Sequence, residues 1–430
     1  PIAHLRLVEK SEPPEYDEQT LKAHNENSGK YVAEALRCIE LDKVGSFCGK
    51  IHDLGKATKK FFDYIQPGNT LRRGEVNHTF AAVRYIFEMS DGVDNEVREL
   101  LAYAVGAHHG QFDAVNDDHK NGFEHRLTKD GIDYDEAKKN FNKYCFSDAE
   151  LKSQFNEAAE QLTEIIEGIR ERNPKRSARQ AEEYEFQISL LARLLLSAVI
   201  EGDRRDTAEF MESMEFPQVE ADWDECLGHI EEKLGKFSNT RPIDGARKQI
   251  SDICRAAAEE EPGIFRLNVP TGAGKTLSGL RFAVAHAKTH RKKRIIFTSP
   301  LLSILDQNAK IIREFIGDDN IITEHHSNVA LDEDNADELK RAQLLTENWS
   351  SPVIITTLVQ LLDTLFAGKT SCIRRMHALC DSVIVIDEVQ TVPNEMLSLF
   401  NTAVNFLSEV CGATIVLCSA TQPCLEQTAH

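Results

Sequence analysis

The chain has 430 residues, 41% of them hydrophobic and 28% charged, and its formal net charge at pH 7 is -20. This length exceeds what one hydrophobic core usually supports, so two domains are expected, and the composition argues against an intrinsically disordered protein. The excess of acid also argues against a protein that coats nucleic acid without specificity, because such binding depends on Lys and Arg opposite the phosphates. Any contact with nucleic acid must therefore be local.

Hydropathy and cysteine usage indicate where the chain works. No apolar run approaches the roughly 20 residues that span a bilayer, and residues 1–10 lack the charged and apolar layout of a signal peptide. The ten cysteines include no Cys-x-x-Cys pair, which argues against a zinc ribbon and for reduced thiols. We therefore expect a cytoplasmic protein without membrane contact.

The first half of the chain has the periodicity of helices. From residue 19 to about residue 237, apolar residues recur at i, i+3 and i+4, as in 97–105 and 186–200, and β-branched runs are few. The pattern predicts an all-α domain over residues 1–235.

The second half changes to short β-branched runs separated by helical stretches. This alternation is typical of buried parallel strands in an α/β domain, whose ligands bind at the carboxyl ends of the strands. We predict such a domain, with a mainly parallel sheet, over residues 236–430, and a linker within 216–242. The predicted strands are 265–269, 294–298, 353–356, 382–386 and 414–418.

Histidines and carboxylates suited to metal binding are spread over the helical half. His52 and Asp53 are adjacent, so one imidazole and one carboxylate can share a cation or bridge two. Mixed nitrogen and oxygen ligands suit Mn, Fe, Ni, Co or Zn better than Mg, and such cations activate water for the hydrolysis of phosphate esters. Of these we expect two ions of Mn, Fe, Ni or Co. A single helical histidine is more often packed or solvated, so the prediction depends on the set as a whole. The candidate ligands are His24, His52, Asp53, His78, His108, His109 and Asp203.

The order His…His-Asp…His…His-His…Asp resembles the HD phosphohydrolase superfamily. Its run His52-Asp53-Leu54-Gly55-Lys56 resembles the CRISPR-associated nuclease branch, and residues 196–204 resemble the last motif of that branch, with Glu201 where the branch often has Asp. The resemblance implies two metal ions, both contacted by Asp53. The first would also be held by His24, His52 and Asp203, and the second by His78, His108 and His109.

Lys56 follows the His-Asp pair by one turn if the motif is helical. It would then face the scissile phosphate, and Asp53 and Lys56 would be the catalytic residues of the metal site. Two other interpretations remain open for Lys56: a partner of Asp53, and a solvated lysine.

A phosphate-binding loop is predicted after the first strand-like run of the second half. Its sequence, Pro-Thr-Gly-Ala-Gly-Lys-Thr, lies between a strand and a helix, where backbone N–H groups can hold phosphates. Lys275 would reach the β- and γ-phosphates of ATP, and the Thr276 hydroxyl would bind Mg²⁺. The predicted ATP-binding residues of the loop are Thr271, Gly272, Gly274, Lys275 and Thr276.

Two further motifs end strand-like runs. Asp387 would hold Mg²⁺, while Glu388 would orient or deprotonate the attacking water and is the third predicted catalytic residue. With Ser419-Ala420-Thr421, these motifs resemble the first RecA-like domain of superfamily 2 helicases. The resemblance implies nucleic-acid contact or coupling at Ser299, Pro300, Thr356, Thr357, Ser419 and Thr421, although Ser299 and Pro300, and likewise Thr356 and Thr357, could instead cap helices.

Together the resemblances imply a metal-dependent endonuclease for single-stranded DNA, joined to an ATP-dependent motor in CRISPR interference. A crRNA-guided surveillance complex would present the DNA. Because the sequence stops soon after the third motif, a second RecA-like domain and its arginine finger are expected to be absent, so the chain alone should bind ATP weakly and not unwind DNA. The alternatives are an HD nucleotide phosphohydrolase and a catalytically idle interaction fragment.

Overall fold

The structure is a computed structural model, and it describes residues 1–8, 14–71, 76, 78–112, 122–127, 133–216, 219–238, 240–326 and 346–420. The chain divides into two compact units. The first comprises Pro1–Phe216 with Gly368–His377, and the second comprises Pro217–Ala367 with Ala378–His430. Residues 217–235 belong to the second unit. The predicted domain boundary after residue 235 therefore differs from the boundary between the two units, and it stays a prediction.

The first unit is helical, as predicted, apart from a two-stranded antiparallel hairpin at its start. β1 (Ile2–Leu7) pairs with β2 (Tyr16–Thr20). The sequence did not indicate this hairpin, because both strands are short and β2 is mostly polar. The helices described before the second unit begins are α1 (Leu21–Leu36), α2 (Asp42–Ile51), α3 (Lys59–Ile65), α4 (Thr79–Met89), α5 (Asn95–Gly106), α6 (Gly122–Leu127), α7 (Tyr134–Tyr144), α8 (Asp148–Arg172) and α9 (Ala178–Met211).

Local sequence explains where the helices of the first unit begin. Thr20, Thr58 and Ser147 each precede a helix in extended conformation, and their hydroxyls accept a hydrogen bond from a first-turn N–H group. Such caps satisfy donors that a helix cannot satisfy internally. Between these ends, the apolar faces of α1, α2 and α9 pack against one another and form a core. These helices carry several of the candidate metal ligands.

The second unit is built around a six-stranded sheet in the order β3-β8-β7-β4-β6-β5, and all five strand pairs are parallel. Five predicted strands are confirmed. The sixth strand, β5, was missed because it is short, polar and at the sheet edge, where no hydrophobic run is required. The strands are β3 (Ile264–Asn268), β4 (Arg294–Ser299), β5 (Ile322–His325), β6 (Val353–Thr357), β7 (Ser382–Ile386) and β8 (Thr414–Ser419).

Helices flank the sheet of the second unit and connect its strands. Parallel strands need such crossovers, and their carboxyl ends then meet at one edge, where the predicted motifs follow β3, β4, β6, β7 and β8. The helices are α10 (Trp223–Gly235), α11 (Pro242–Ala257), α12 (Lys275–Thr289), α13 (Leu302–Ile316), α14 (Leu358–Phe366) and α16 (Leu397–Glu409); α15 (Thr370–Ile373) belongs to the first unit.

Within the described residues, no helix combines the length and the apolar composition required to cross a membrane.

Candidate metal centre and nucleotide site

The predicted metal ligands of the helical unit come together around one carboxylate. His24 lies on α1, His52 and Asp53 follow α2, and Asp203 lies near the end of α9. One potential ligand atom from each of these four residues lies within 4.8 Å of the others, and a second group joins Asp53 to His108 and His109. Asp53 is therefore common to both groups.

One oxygen of Asp53 faces the first pair of imidazoles. Its Oδ2 lies 3.2 Å from Nε2 of His24 and 3.3 Å from Nε2 of His52. The Oδ1 atom of Asp203 approaches the same two nitrogen atoms, at 3.5 Å and 3.7 Å respectively. Two carboxylates and two imidazoles thus surround one point.

The other oxygen of Asp53 faces the remaining histidines. Its Oδ1 lies 3.8 Å from Nε2 of His108 and 3.9 Å from Nε2 of His78, and the Nε2 atoms of His78 and His109 are 2.9 Å apart. The seven predicted ligands therefore form one cluster with two halves.

Backbone carbonyls hold the far sides of two of the rings. Nδ1 of His52 lies 2.8 Å from the Gly49 carbonyl, and Nδ1 of His108 lies 2.6 Å from the Val105 carbonyl. A carbonyl can only accept, so each neutral ring keeps its proton on Nδ1 and turns the lone pair of Nε2 toward Asp53. Metal-binding histidines are oriented in this way.

Asp206 holds the third ring and was not identified from the sequence. Its Oδ2 lies 2.6 Å from Nδ1 of His24 and accepts a hydrogen bond from Gln19, while its Oδ1 accepts one from Asn27. The signal that could have found Asp206 is its spacing of three residues from Asp203, which places both carboxylates on one face of α9.

His4 is a second residue that sequence analysis did not single out. Its ring lies edge-on to that of His24, with centroids 4.8 Å apart, and its Nε2 lies 3.4 Å from the Thr207 hydroxyl. Burial, together with Lys56, lowers the pKa of His4 to about 3. Strand β1 delivers this ring, and no sequence pattern near the chain start indicated that pairing.

The carboxylates determine the charge of the first pair of imidazoles. Burial alone would lower the pKa of His24, but Asp203, Asp206 and Asp53 raise it to about 10. Burial opposes the charged form of His52 too, yet Asp53 and Asp203 raise its pKa to about 9. In the metal-free protein these rings carry the positive charge that a cation would supply.

The other histidines are neutral near pH 7. Burial lowers the pKa values of His78, His108 and His109 to about 4 each. Burial alone would raise the pKa of Asp53, but Lys56 and His52 hold it well below its usual range. On this side of the centre the ionised Asp53 carboxylate therefore lies beside the neutral rings of His78, His108 and His109, which is the state in which such residues bind metal.

Lys56 pairs with Asp53, which is one of the roles considered for it. Its Nζ lies 2.6 Å from Oδ2 of Asp53, and Lys56 is only 6% exposed. The turn between them also needs Gly55, because a Cβ atom there would lie 2.0 Å from the carbonyl oxygen of His78. The His-Asp-Leu-Gly-Lys run thus places Lys56 and lets the backbone of His78 approach.

The donor atoms fit a divalent cation. Within the described residues, Nε2 of His24, His52 and His108 are buried without a hydrogen-bond partner of acceptable geometry. Buried polar atoms normally have partners, and these three converge on carboxylate oxygen atoms. Imidazole nitrogen together with carboxylate oxygen is a ligand set of first-row transition metals.

The second unit contains the predicted nucleotide site at the carboxyl ends of β3, β7 and β8. The loop after β3 reaches α12, which begins at Lys275 with Gly274 as its N-cap in left-handed conformation. Thr271 and Gly272 are exposed in this loop, and the Thr276 hydroxyl donates to Oδ1 of Asn308. Arg247 donates to the Gly272 carbonyl at 2.7 Å and was not identified from the sequence.

Lys275 contacts both predicted carboxylates. Its Nζ lies 3.0 Å from Oδ1 of Asp387 and also pairs with Glu388. Burial would lower the pKa of Lys275, but the two carboxylates raise it. Burial raises the pKa of Asp387 against the opposing effect of Lys275. Burial would also raise the pKa of Glu388, but Lys275 and Gln390 lower it below its usual value. The positive charge of Lys275 thus offsets part of the negative charge of the two carboxylates.

Gln390 connects the second and third motifs, although sequence analysis gave it no role. Its side-chain amide donates to Oε2 of Glu388 and accepts from the Ser419 hydroxyl, both at 2.5 Å. Ser419 at the end of β8 is therefore in register with the acids that follow β7.

The remaining predicted nucleic-acid residues lie at neighbouring strand ends. Ser299 ends β4 and Pro300 follows it. The Thr356 hydroxyl donates to the His325 carbonyl, and that of Thr357 caps α14 by accepting from Gln360 N–H. Thr421 lies outside the described residues. Nucleic-acid contact at these positions stays a prediction.

Two protein-family models match the chain. Residues 19–200 match the HD domain of Cas3, and residues 251–428 match the DEAD/DEAH box helicases. A curated relative, the CRISPR-associated nuclease/helicase Cas3 of Haloferax volcanii, is 22% identical over 462 residues, which cover 94% of this chain and 48% of the relative.

Solved structures show the same fold. The crystal structure of T. fusca Cas3-ADP is similar over 100% of this chain and 52% of that chain, with a TM-score of 0.56 and 17% identity. The crystal structure of T. fusca Cas3-ATP is similar over 100% of this chain and 51% of that chain, with a TM-score of 0.52 and 18% identity. The chain spans about half the length of these relatives.

Proposed function

The chain belongs to the Cas3 family of CRISPR-associated nuclease-helicases, with an HD domain followed by a helicase domain, and from this premise we propose that its helical unit is a metal-dependent endonuclease. The proposed substrate is single-stranded DNA, and the proposed setting is CRISPR interference. The observation that supports this most directly is the convergence of imidazoles on both oxygen atoms of Asp53.

The first proposed metal site is formed by His24, His52, Asp53 and Asp203, and Asp53 is shared with a second site. His78, His108 and His109 complete that second site. When bound, two divalent transition-metal ions, Mn, Fe, Ni or Co, would activate water and neutralise charge on the phosphodiester. Magnesium fits less well, since it prefers oxygen ligands.

The residues of this chain would position the reaction. The Nδ1 contacts of His24, His52 and His108 keep three rings turned toward Asp53. Hydrolysis adds water to the phosphorus and breaks its bond to one sugar oxygen, so negative charge develops on the phosphoryl oxygen atoms. Lys56 lies beside Asp53, and its positive charge would stabilise the negative charge that develops on the phosphoryl oxygen atoms.

Single-stranded DNA suits the way in which the metal centre is reached. Asp53 is fully buried, whereas His109 is exposed and His78 is 19% exposed at its side chain. A phosphodiester would approach past these two rings, which a flexible strand does more easily than a rigid duplex. The net charge of -20 fits delivery by a crRNA-guided surveillance complex, since the chain lacks the excess of basic residues that would attract DNA by itself.

The second unit is proposed to bind ATP with Mg²⁺ and to drive movement along DNA. Lys275 would exchange its contacts with Asp387 and Glu388 for ATP phosphates, and Thr276 and Asp387 would hold the Mg²⁺ ion. Glu388 would then be released to orient the attacking water. Gln390 and Ser419 would respond to this change, because Gln390 is hydrogen-bonded to Glu388 and Ser419 is hydrogen-bonded to Gln390.

A nicking assay tests the proposal. Circular single-stranded DNA is incubated with the chain after chelation, and Mn²⁺, Ni²⁺ or Mg²⁺ is then added. We expect metal-restored nicking that is lost in Asp53→Ala and kept in Lys275→Ala, because the nucleotide site is not part of the nuclease chemistry. Nicking lost in Lys275→Ala but kept in Asp53→Ala contradicts this division. Hydrolysis of mononucleotides or cyclic nucleotides without nicking supports the nucleotide phosphohydrolase instead.

A further inference from the structure

Ten residues of the helicase half of the sequence belong to the helical unit. This inserted segment, Gly368–His377, contains α15 and packs with Pro1–Phe216. In sequence it lies between α14 and β7, the strand that precedes Asp387 and Glu388. The chain therefore leaves the second unit and returns to it just before the predicted Mg²⁺-binding acids.

The inserted segment is attached to one face of α9. The Ser197 hydroxyl donates to the Arg374 carbonyl and accepts from the N–H of His377, both at 2.9 Å. Arg204 donates to the Thr370 hydroxyl at 2.8 Å. Positions 197, 201 and 204 follow one another at helical spacing, so they share a face of α9.

Glu201 lies at the centre of that face and pairs with the inserted segment. Its Oε2 accepts a hydrogen bond from Nε of Arg374 at 2.6 Å. Arg374 is fully buried, and Glu201 is 6% exposed. Removing one partner of a buried ion pair leaves a charge without compensation, so this contact constrains α9 far more than a surface pair does.

The next two residues of α9 contact α1 and the metal centre, respectively. At Gly202, a Cβ atom would lie 2.5 Å from Cγ2 of Val32 and 2.8 Å from the Ser28 carbonyl, so α9 approaches α1 closely at this point. Helix α1 also carries His24, and Oδ1 of Asp203 lies 3.5 Å from its Nε2. Three consecutive residues thus contact the inserted segment, α1 and the metal centre in turn.

We propose that Arg374 is a positioning residue of the metal centre: through the buried Glu201 pair it sets the rotation and depth of α9, and so places the Asp203 carboxylate opposite His24 and His52. The proposal rests on the proposed function, because it assumes that this centre holds metal. It follows that the nuclease centre is complete only with a segment from the helicase half of the chain.

The test measures Co²⁺ binding to the full chain by its visible absorption, with the melting temperature and nucleotide affinity measured on the same samples. Arg374→Gln should weaken Co²⁺ binding roughly 10- to 100-fold, as is typical when a residue that orients metal ligands is lost, and should alter the spectrum. Lys369→Gln is the matched control, since it removes the same charge from an exposed position of the inserted segment. It should bind Co²⁺ like the wild type.

A double variant separates positioning from stability. Glu201→Met/Arg374→Met replaces the ion pair by apolar side chains of similar length, a change that often preserves or raises stability. We expect an undiminished melting temperature with weakened Co²⁺ binding and a changed spectrum. Wild-type Co²⁺ affinity and spectrum in this folded double variant would overturn the proposal. A wild-type chain that binds no Co²⁺ would instead contradict the proposed metal function itself.

Discussion

The metal centre and the nucleotide site are assembled in opposite ways. Residues that meet at the metal centre come from β1, α1, the end of α2, the start of α4, the end of α5 and the C-terminal part of α9, and they are separated by as many as 202 positions, as His4 and Asp206 are. The nucleotide site consists of short continuous motifs, each at the carboxyl end of a strand. The first therefore depends on helix packing, and the second on local chain direction within a parallel sheet.

This difference predicts that the metal centre is sensitive to substitutions that alter packing without touching a ligand. The strongest case is Gly55→Ala, because the added Cβ would meet the His78 carbonyl at 2.0 Å. We expect a loss of about 1–3 kcal/mol in the free energy of unfolding, and loss of the metal ion on the side of His78. Calorimetry and metal analysis measure both quantities.

Gly110→Ala is the control for this substitution, since nothing lies within 4 Å of a Cβ atom at that position. It should keep both the stability and the metal content of the wild type. If Gly55→Ala bound two ions, the proposed dependence of the second metal site on helix packing would be wrong.

The next largest effect is expected at Asp206, which contacts His24 and is not in the predicted ligand set. In Asp206→Asn the amide cannot give Nδ1 of His24 the same charged partner, so metal affinity should fall roughly 10- to 100-fold. Titration with Mn²⁺ measures this change. The control is Glu185→Gln, which changes an exposed carboxylate on the same helix. Equal Mn²⁺ affinities for the two variants would show that Asp206 does not support metal binding.

The smallest effect is expected in the second unit, where Thr357 caps α14. Thr357→Ala should cost about 0.5–2 kcal/mol of stability, whereas Thr357→Ser should keep the cap. If Thr357 also contacts DNA, affinity for single-stranded DNA should fall in Thr357→Ala and not in Thr357→Ser. Equal DNA affinity in both would leave Thr357 with the capping role alone.

Much of the second unit could be predicted because its signals are local. Buried parallel strands read as β-branched runs, and five of them were located within two residues. Among the strands described in this unit, only β5 was missed, since an edge strand needs no hydrophobic run. The acids after β7 and the loop after β3 were placed correctly at strand ends, although Gln390 and Arg247 carried no recognisable pattern.

In the helical unit, the sequence by itself determined the residue types, the helices and the family to which the order of histidines and acids belongs. Local rules reach this far, because apolar periodicity and short motifs depend on neighbours along the chain. They do not state which helix faces meet, so Asp206, His4 and the hairpin that carries His4 were not identified.

Tertiary structure alone decided which side of each ring faces Asp53, and that a segment from the helicase half packs on α9. Both depend on contacts between residues far apart in sequence: Arg374 and Glu201 are 173 positions apart, and their pairing leaves no trace in either local sequence. A buried charge pair is specified by the fold around it, because only removal from water makes the partner indispensable.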